Sequence, residues 1–294
     1  MKKVLITGAN SYIGTSFENW IKDNEPDITT DTLDMKSEKW KQTDFSKYDA
    51  VFHVAGIAHA DVGKVTDEQK ELYYKVNADL TSECANKAKN DGVKQFVFMS
   101  SIIVYGESAG IGKECVITRN TPLKPANFYG DSKVKAEEKL NELADDKFKV
   151  VILRPPMIYG KGSKGNYPLL SKMARKLPVF PNIKNQRSML YIGNLCKFIV
   201  CVIRLEKAGI FYPQNKEYVS TAEMVKGIAQ VKEKKICLTG IFNPALKLVG
   251  KIGGKSGKLV NKAFGNMVYE KSMSQYDFEY QIYDLSQSIY LTEN

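Results

Sequence analysis

The first 155 residues alternate short apolar runs with longer amphipathic, charged stretches, and few folds accommodate that order. KVLITG (3–8) reads as a buried strand and YIGTSFENWIKDN (12–24) as the helix after it. ITTDTLD (28–34) and YDAVFHVAG (48–56) read as the next two strands. A helix is predicted over YYKVNADLTSECANKAKN (73–90), a strand over QFVFMSS (95–101), a helix over 129–143 and a strand over KVVILRP (149–155). Strands alternating with helices make βαβ units, whose parallel sheet is covered by helices on both faces. Right-handed crossovers then leave a doubly wound α/β sheet as the expectation. Beyond residue 155 the alternation loosens: Gly160, Gly162 and Gly165 make a flexible loop, and later segments are shorter and more basic. A main domain over 1–160 and a smaller lobe over 161–294, with some elements returning to the main sheet, is the expected organisation.

Between the first strand and the first helix stands TGANSYIG (7–14). Gly8 and Gly14 permit a tight turn and close helix–strand packing, with N–H groups of the helix N-terminus facing a pyrophosphate. Asp34, at the end of the second predicted strand, stands where a carboxylate can bind adenosine ribose hydroxyls. That carboxylate repels a 2′-phosphate and so favours NAD(H) over NADP(H), while Lys36 nearby pulls the other way. The alternative for Asp34 is a plain turn residue.

YGDSK (129–133) sets a tyrosine four residues before a lysine, hence on one face of a helix. With 16 tyrosines and 43 Lys+Arg in the chain, the spacing alone decides nothing. The net charge of +10 favours a negatively charged partner such as a nucleotide or an anionic lipid. Nucleic acid is disfavoured, because no dense basic block carries interleaved aromatics. Five dispersed cysteines without a Cys-x-x-Cys pair, and only His53 and His59 beside them, argue against zinc and for reduced thiols. MKKVLITGAN is too short in its apolar run for a signal peptide, and no stretch reaches membrane-span length, so a cytoplasmic protein is expected. The segment 241–264 is apolar with five lysines; a pair of helices broken at Gly253-Gly254 is favoured over a membrane-surface helix, because the glycines interrupt a long face.

Six motifs stand in order: TGANSYIG (7–14), VFHVAG (51–56), Asn77 in KVNADLT, FMSSIIVYGE (98–107), YGDSK (129–133) and LRPPMIYG (153–160). Together they resemble the extended short-chain dehydrogenase/reductase family of nicotinamide-dependent sugar-nucleotide epimerases, dehydratases and reductases, over nearly the whole chain. The one departure is Ser11, where that family usually has glycine. The resemblance implies a Rossmann-type sheet with a substrate-binding C-terminal lobe, and a cofactor held by Gly8, Asn10, Ser11, Tyr12, Ile13, Gly14, Asp34, Asp44, Phe45, Val54, Ala55, Gly56, Asn77 and Pro156, together with Tyr129 and Lys133. It places the catalytic hydroxyl on Ser101 and the catalytic pair on Tyr129 and Lys133. A tyrosine titrates near 10 and is a poor base at neutral pH, so a nearby ammonium and a cationic nicotinamide are expected to lower its pKa. Lys133 also suits the nicotinamide ribose, and Ser101 a hydrogen bond to the reacting oxygen. His53 is expected as a packed residue near the cofactor.

Family members that eliminate water carry an acidic pair after the catalytic hydroxyl; Ile102-Ile103 stands there instead. Members that epimerise carbons 3 and 5 carry a cysteine in this loop and a later histidine; residues 98–107 hold no cysteine and no histidine follows His59. The likeness is nearest to a bacterial subgroup acting on UDP-N-acetylhexosamines in capsule and O-antigen synthesis, through SSIIVYGE, RPPMIYGKGSKGNYPLL (154–170) and NQRSMLYIGNL (185–195). It implies substrate contacts at Ser101, Tyr105, Asn166, Tyr167 and Arg187, the last suited to a diphosphate by its guanidinium fork. A surface salt bridge is the alternative for Arg187. The expected activity is reduction of a UDP-4-keto-6-deoxy-N-acetylhexosamine, with a UDP-sugar 4-epimerase using bound NAD as the alternative. A homodimer is implied as well. A nucleotide-sensing regulator without chemistry is a third reading, disfavoured because Ser101, Tyr129 and Lys133 are all kept.

Overall fold

A computed structural model of the chain describes residues 1–58 and 66–294; His59 lies outside the described residues. The chain opens β1 (Lys2–Thr7), α1 (Tyr12–Asn24), β2 (Ile28–Leu33), β3 (Ala50–His53), α2 (Asp67–Tyr74), α3 (Leu80–Asn90) and β4 (Gln95–Met99). It continues through β5 (Val116–Ile117), α4 (Phe128–Leu143), β6 (Lys149–Leu153), β7 (Met157–Tyr159), α5 (Tyr167–Lys176), β8 (Val179–Pro181) and β9 (Met189–Tyr191). It closes with α6 (Ile192–Arg204), β10 (Gly209–Phe211), α7 (Thr221–Val231), β11 (Cys237–Thr239), α8 (Asn243–Ile252), α9 (Gly254–Phe264), β12 (Val268–Tyr269) and α10 (Leu285–Glu293).

Six strands form one sheet in the order β10-β6-β4-β3-β1-β2, every pair parallel. Parallel strands are buried on both faces, which is why β4 and the inner part of β6 are continuous apolar runs rather than alternating ones. Phe96, Phe98, Phe148, Val150 and Ile152 join Trp40, Phe45 and Leu140 in one core cluster. The order reverses beside β1, with β2 on one side and β3 on the other, so the carboxyl ends of β1 and β3 flank the crevice where such sheets take their ligands.

The sequence-derived elements hold with two informative differences. The single helix predicted over 73–90 is interrupted by a π-turn at Lys75–Asp79 between α2 and α3. The strand predicted to 101 ends at Met99, although Ser100 N–H still reaches Leu153 O at 2.8 Å and Ile102 N–H reaches Pro155 O at 2.9 Å. Ser101 is thus left at the rim, where it caps a 3₁₀ turn over Ile102–Tyr105.

The chain divides into two compact units. The first is Met1–Gly106, Leu123–Pro155 and Leu195–Pro213, and holds the six-stranded sheet. The second is Glu107–Pro122, Pro156–Asn194 and Gln214–Asn294, built from short parallel pairs β5·β12, β7·β9 and β8·β11 with α5, α7, α8, α9 and α10. The two basic helices expected in 241–264 are present as α8 and α9, broken at Gly253-Gly254, both at positive φ.

Candidate active site

The glycine turn is tied to both flanking strands. Gly8 N–H and Ala9 N–H both donate to Leu33 O, drawing the end of β2, and with it Asp34, toward the turn. Gly8 has φ +116°, and a Cβ there would lie 2.7 Å from Ala55 N, so only glycine lets this loop approach the segment after β3. Asn10 supplies a second left-handed residue, φ 61°. Ser11 has φ −73°, a conformation any residue adopts, and its Oγ accepts the Gly14 N–H at 3.2 Å as the N-cap of α1. The departure from glycine is therefore accommodated, but one N–H of the helix terminus is already engaged. A Cβ at Gly14 would lie 2.6 Å from Ser11 Oγ and 3.1 Å from Val54, which explains the second glycine. This cradle of backbone at the switch point fits a dinucleotide pyrophosphate.

Asp34 is exposed and one of its oxygens accepts Lys36 N–H at 2.9 Å. Asp44 likewise accepts Ser46 N–H, 2.9 Å. Phe45 is fully buried in the core, and its N–H donates to Asp91. Gly56 is exposed, and a Cβ on it would meet Asn77 Oδ1 at 3.0 Å and Lys133 Nζ at 3.4 Å. Asn77 sits in the π-turn, fully buried, accepting Ile57 N–H at 2.8 Å and donating to Ile57 O and Ser132 Oγ, both 3.0 Å. It binds the loop after β3 to α4. A π-turn re-aims one side chain within a helix, and here it aims that amide. Pro156 is buried just beyond β6.

Every residue of YGDSK has a structural task. Asn127 caps α4 through the Gly130 N–H, 3.0 Å. A Cβ at Gly130 would lie 3.0 Å from Ile103 O, so glycine lets the first turn of α4 press against the Ser101–Tyr105 turn. Asp131 accepts the Tyr74 hydroxyl at 2.8 Å, and Ser132 Oγ donates to Tyr129 O at 2.8 Å. Tyr129 is half-buried, its ring edge-on to Tyr73 at 6.2 Å. Lys133 is buried; its ammonium donates to Met99 O at 2.9 Å and lies 4.7 Å from the centre of the Phe98 ring. Ser101 Oγ accepts Ile103 N–H at 3.3 Å, leaving its O–H to donate. Ser101, Tyr129, Lys133, Gly56 and Asn77 are thus brought together within the first unit.

Burial pushes Tyr129 up to about 12, with the Ser101 side chain acting in the opposite direction. Burial likewise lowers Lys133 to about 8, while the Glu137 charge holds it up. The Lys133 ammonium is directed to Met99 O, at 2.9 Å. His53 is the packed residue expected. It is fully buried between Thr7 Oγ1 (2.7 Å) and Thr81 Oγ1 (3.1 Å), and burial lowers it to about 3, so it stays neutral.

Behind the lysine lies a network that motif reading did not single out. Glu137, one turn on from Lys133, receives Arg154 Nε at 3.1 and 3.2 Å, Arg154 Nη2 at 2.5 Å and the Ser100 hydroxyl. Arg154 Nη1 donates to the Tyr105 hydroxyl at 2.6 Å, and the guanidinium lies 5.3 Å from the centre of the Tyr105 ring. Tyr105 is therefore fixed by the network. The available signal was an arginine closing the apolar strand KVVIL and a glutamate at i+4 from the lysine, on the buried face of α4.

In the second unit, Asn166 is exposed at the N-terminus of α5. Tyr167 is buried, its ring stacked on Tyr159 at 5.3 Å. Arg187 is held by backbone: its Nη1 donates to Lys262 O at 2.9 Å and Gly265 O at 3.3 Å, carbonyls at the C-terminal end of α9. Burial lowers its pKa.

This sheet and backbone cradle define a Rossmann-type dinucleotide-binding fold. A model of the NAD dependent epimerase/dehydratase family matches residues 4–212, and the chain belongs to that family. Among curated proteins it is 31% identical to a UDP-glucose 4-epimerase of Vibrio cholerae over 90% of this chain and 86% of that one. It is 29% identical to the N-acetyl-alpha-D-glucosaminyl-diphospho-ditrans,octacis-undecaprenol 4-epimerase of Escherichia coli O157:H7, over 89% of this chain and 81% of that one. Among solved structures, UDP-glucuronic acid 4-epimerase from Bacillus cereus in complex with NAD shares the fold, with TM-score 0.73 and 16% identity over 98% of this chain and 96% of that one. The chain is an NAD(P)-dependent enzyme of the epimerase and reductase class.

Proposed function

We propose that the chain is a sugar-nucleotide 4-epimerase acting on a UDP-hexose or UDP-N-acetylhexosamine. The observation that carries this reading is the Ser101/Tyr129/Lys133 cluster beside a dinucleotide cradle, in a chain similar over most of its length to two proteins named 4-epimerases. The 4-ketoreductase reading expected from sequence uses the same side chains and becomes the second reading; the solved dTDP-4-dehydrorhamnose reductase from Clostridium acetobutylicum that shares the fold (TM-score 0.65) is likeness of fold only.

Gly8, Asn10, Asp34, Gly56, Asn77 and Lys133 would hold NAD, which when bound would accept a hydride from sugar carbon 4 and return it. Tyr129 takes the proton of the 4-hydroxyl as phenolate and returns it to the same oxygen as phenol. The Ser101 O–H holds that oxygen within reach of Tyr129. Lys133 supplies positive charge at the ribose end and favours the phenolate once its ammonium faces the tyrosine. No carboxylate directly follows Ser101; Ile102 and Ile103 stand there in the 3₁₀ turn, and neither is an acid or base for eliminating water.

The test is incubation with UDP-glucose or UDP-N-acetylglucosamine and catalytic NAD, with products followed by proton NMR. Interconversion of 4-epimers without net cofactor turnover is the expected result. Stoichiometric NAD(P)H consumption on a 4-keto sugar nucleotide, with no epimer formed, would assign the reductase reading instead.

A further inference from the structure

The helix pair α8–α9 presents an apolar stripe to solvent. Ala245, Leu248 and Ile252 fall at i, i+3 and i+7 on α8, preceded by Ile241, and all four are exposed. Ile241 is 82%, Leu248 60% and Ile252 76% exposed, and Leu259 on α9 is 64% exposed. α8 has no buried residue at all. These are ordinary core side chains placed on the outside, and they are interleaved with Lys247, Lys251, Lys255, Lys258 and Lys262, every one exposed. From Lys234 to Tyr269 the chain carries no acidic residue.

The pair is a built element. A Cβ at Gly257 would lie 2.9 Å from Val249 O and one at Gly250 2.7 Å from Asn261 Oδ1, so glycines bring the two helices into backbone contact. Asn261 Nδ2 donates to Gly250 O at 3.0 Å, and Arg187 binds carbonyls at the end of α9. The Gly253-Gly254 break shortens each helix, yet the apolar stripe on α8 is complete by itself.

We propose that this surface docks on an anionic lipid bilayer, with Ile241, Leu248, Ile252 and Leu259 entering the interface and the lysines meeting lipid headgroups. Charge decides the occupant. A second copy of the chain packed on the same face about a two-fold axis would set lysine against lysine, whereas an anionic surface neutralises them. The proposal does not depend on which reaction the site performs.

The experiment is co-sedimentation of the full chain with vesicles of phosphatidylcholine alone and of phosphatidylcholine with phosphatidylglycerol. Binding to the anionic vesicles and release at about 0.5 M salt are expected, with no binding to the neutral ones. Leu248→Asp with Ile252→Asp should reduce anionic-vesicle binding at least about tenfold while turnover of a soluble UDP-sugar stays unchanged. Each lysine replaced by glutamine should weaken it about fivefold. Failure of the wild-type chain to bind anionic vesicles at low salt, or equal binding by the double variant, overturns the proposal. So does light scattering that shows a wild-type dimer becoming monomeric in the double variant without vesicles, because a second copy then covers the face.

Discussion

Replacing Glu137 by glutamine removes one charge without changing shape, at a site where solvent cannot compensate. The Glu137 and Arg154 side chains are 3% and 7% exposed. Three of the guanidinium contacts reach that carboxylate, and Nη1 donates to the Tyr105 hydroxyl. An amide would turn its NH₂ toward Arg154 donors and remove the carboxylate that neutralises this buried cation, a loss of about 3–5 kcal/mol. Against a total stability of about 5–15 kcal/mol, that is a large fraction. Urea unfolding of wild type, Glu137→Gln, Arg154→Met and the apolar pair Glu137→Leu/Arg154→Met checks it. The apolar pair should lose far less than the sum of the two single changes, with a coupling of at least about 2 kcal/mol. The same substitution has a catalytic signature. Glu137 holds up the pKa of Lys133, which burial lowers to about 8. Activity that needs the ammonium falls as pH rises through that value, and without Glu137 the alkaline limb of kcat/KM moves to lower pH. A Glu137→Gln protein destabilised by less than about 1 kcal/mol, with an unmoved limb, would refute both halves of the reasoning.

Tyr129→Phe keeps the ring against Tyr73 and should lower kcat by about 10²–10⁴-fold with an unchanged fold; wild-type turnover in the NMR assay would remove Tyr129 from the chemistry. Gly8→Ala forces a Cβ to within 2.7 Å of Ala55 N at φ +116°, a strain of about 1–3 kcal/mol, so NAD affinity by calorimetry should fall at least about tenfold; undiminished affinity would mean the cradle is elsewhere. His53 titrates near 3 when folded against 6.5 for an ordinary histidine. Its folded pKa is depressed, so the unfolded chain binds more protons between those values, and the stability His53 contributes is present above about 6.5 and lost as pH falls toward 3. Chemical denaturation from pH 7 to 4 should show wild type losing more stability than His53→Gln, and equal losses would count against this assignment.

The order of strands and helices was legible because burial on both faces makes a parallel strand a continuous apolar run, and this holds for KVLIT, AVFH, QFVFM and KVVIL alike. TGANSYIG was legible because a left-handed turn and a close backbone approach exclude side chains, and only glycine removes them. The π-turn at Asn77 was not, since its residues read as an unbroken helix; the amide's bonds to Ile57 and Ser132 stand in its place. Nor was the direction of the Lys133 ammonium. Spacing places Lys133 on the same helical face, but Met99 O, contributed by a strand distant in sequence, decides where the ammonium points.

The sequence by itself determined the doubly wound sheet, the glycine turn and the family, because these depend on periodicity and on local conformations that few residues allow. Only the tertiary structure decided which charges meet. Glu137 and Arg154 pair because α4 packs over β6, and Arg187 takes the carbonyls ending α9 rather than a carboxylate. It also decided which apolar residues stay outside. Leu248 and Ile252 have the composition of a core, and their exposure follows from what packs against α8, a long-range property that no local pattern encodes.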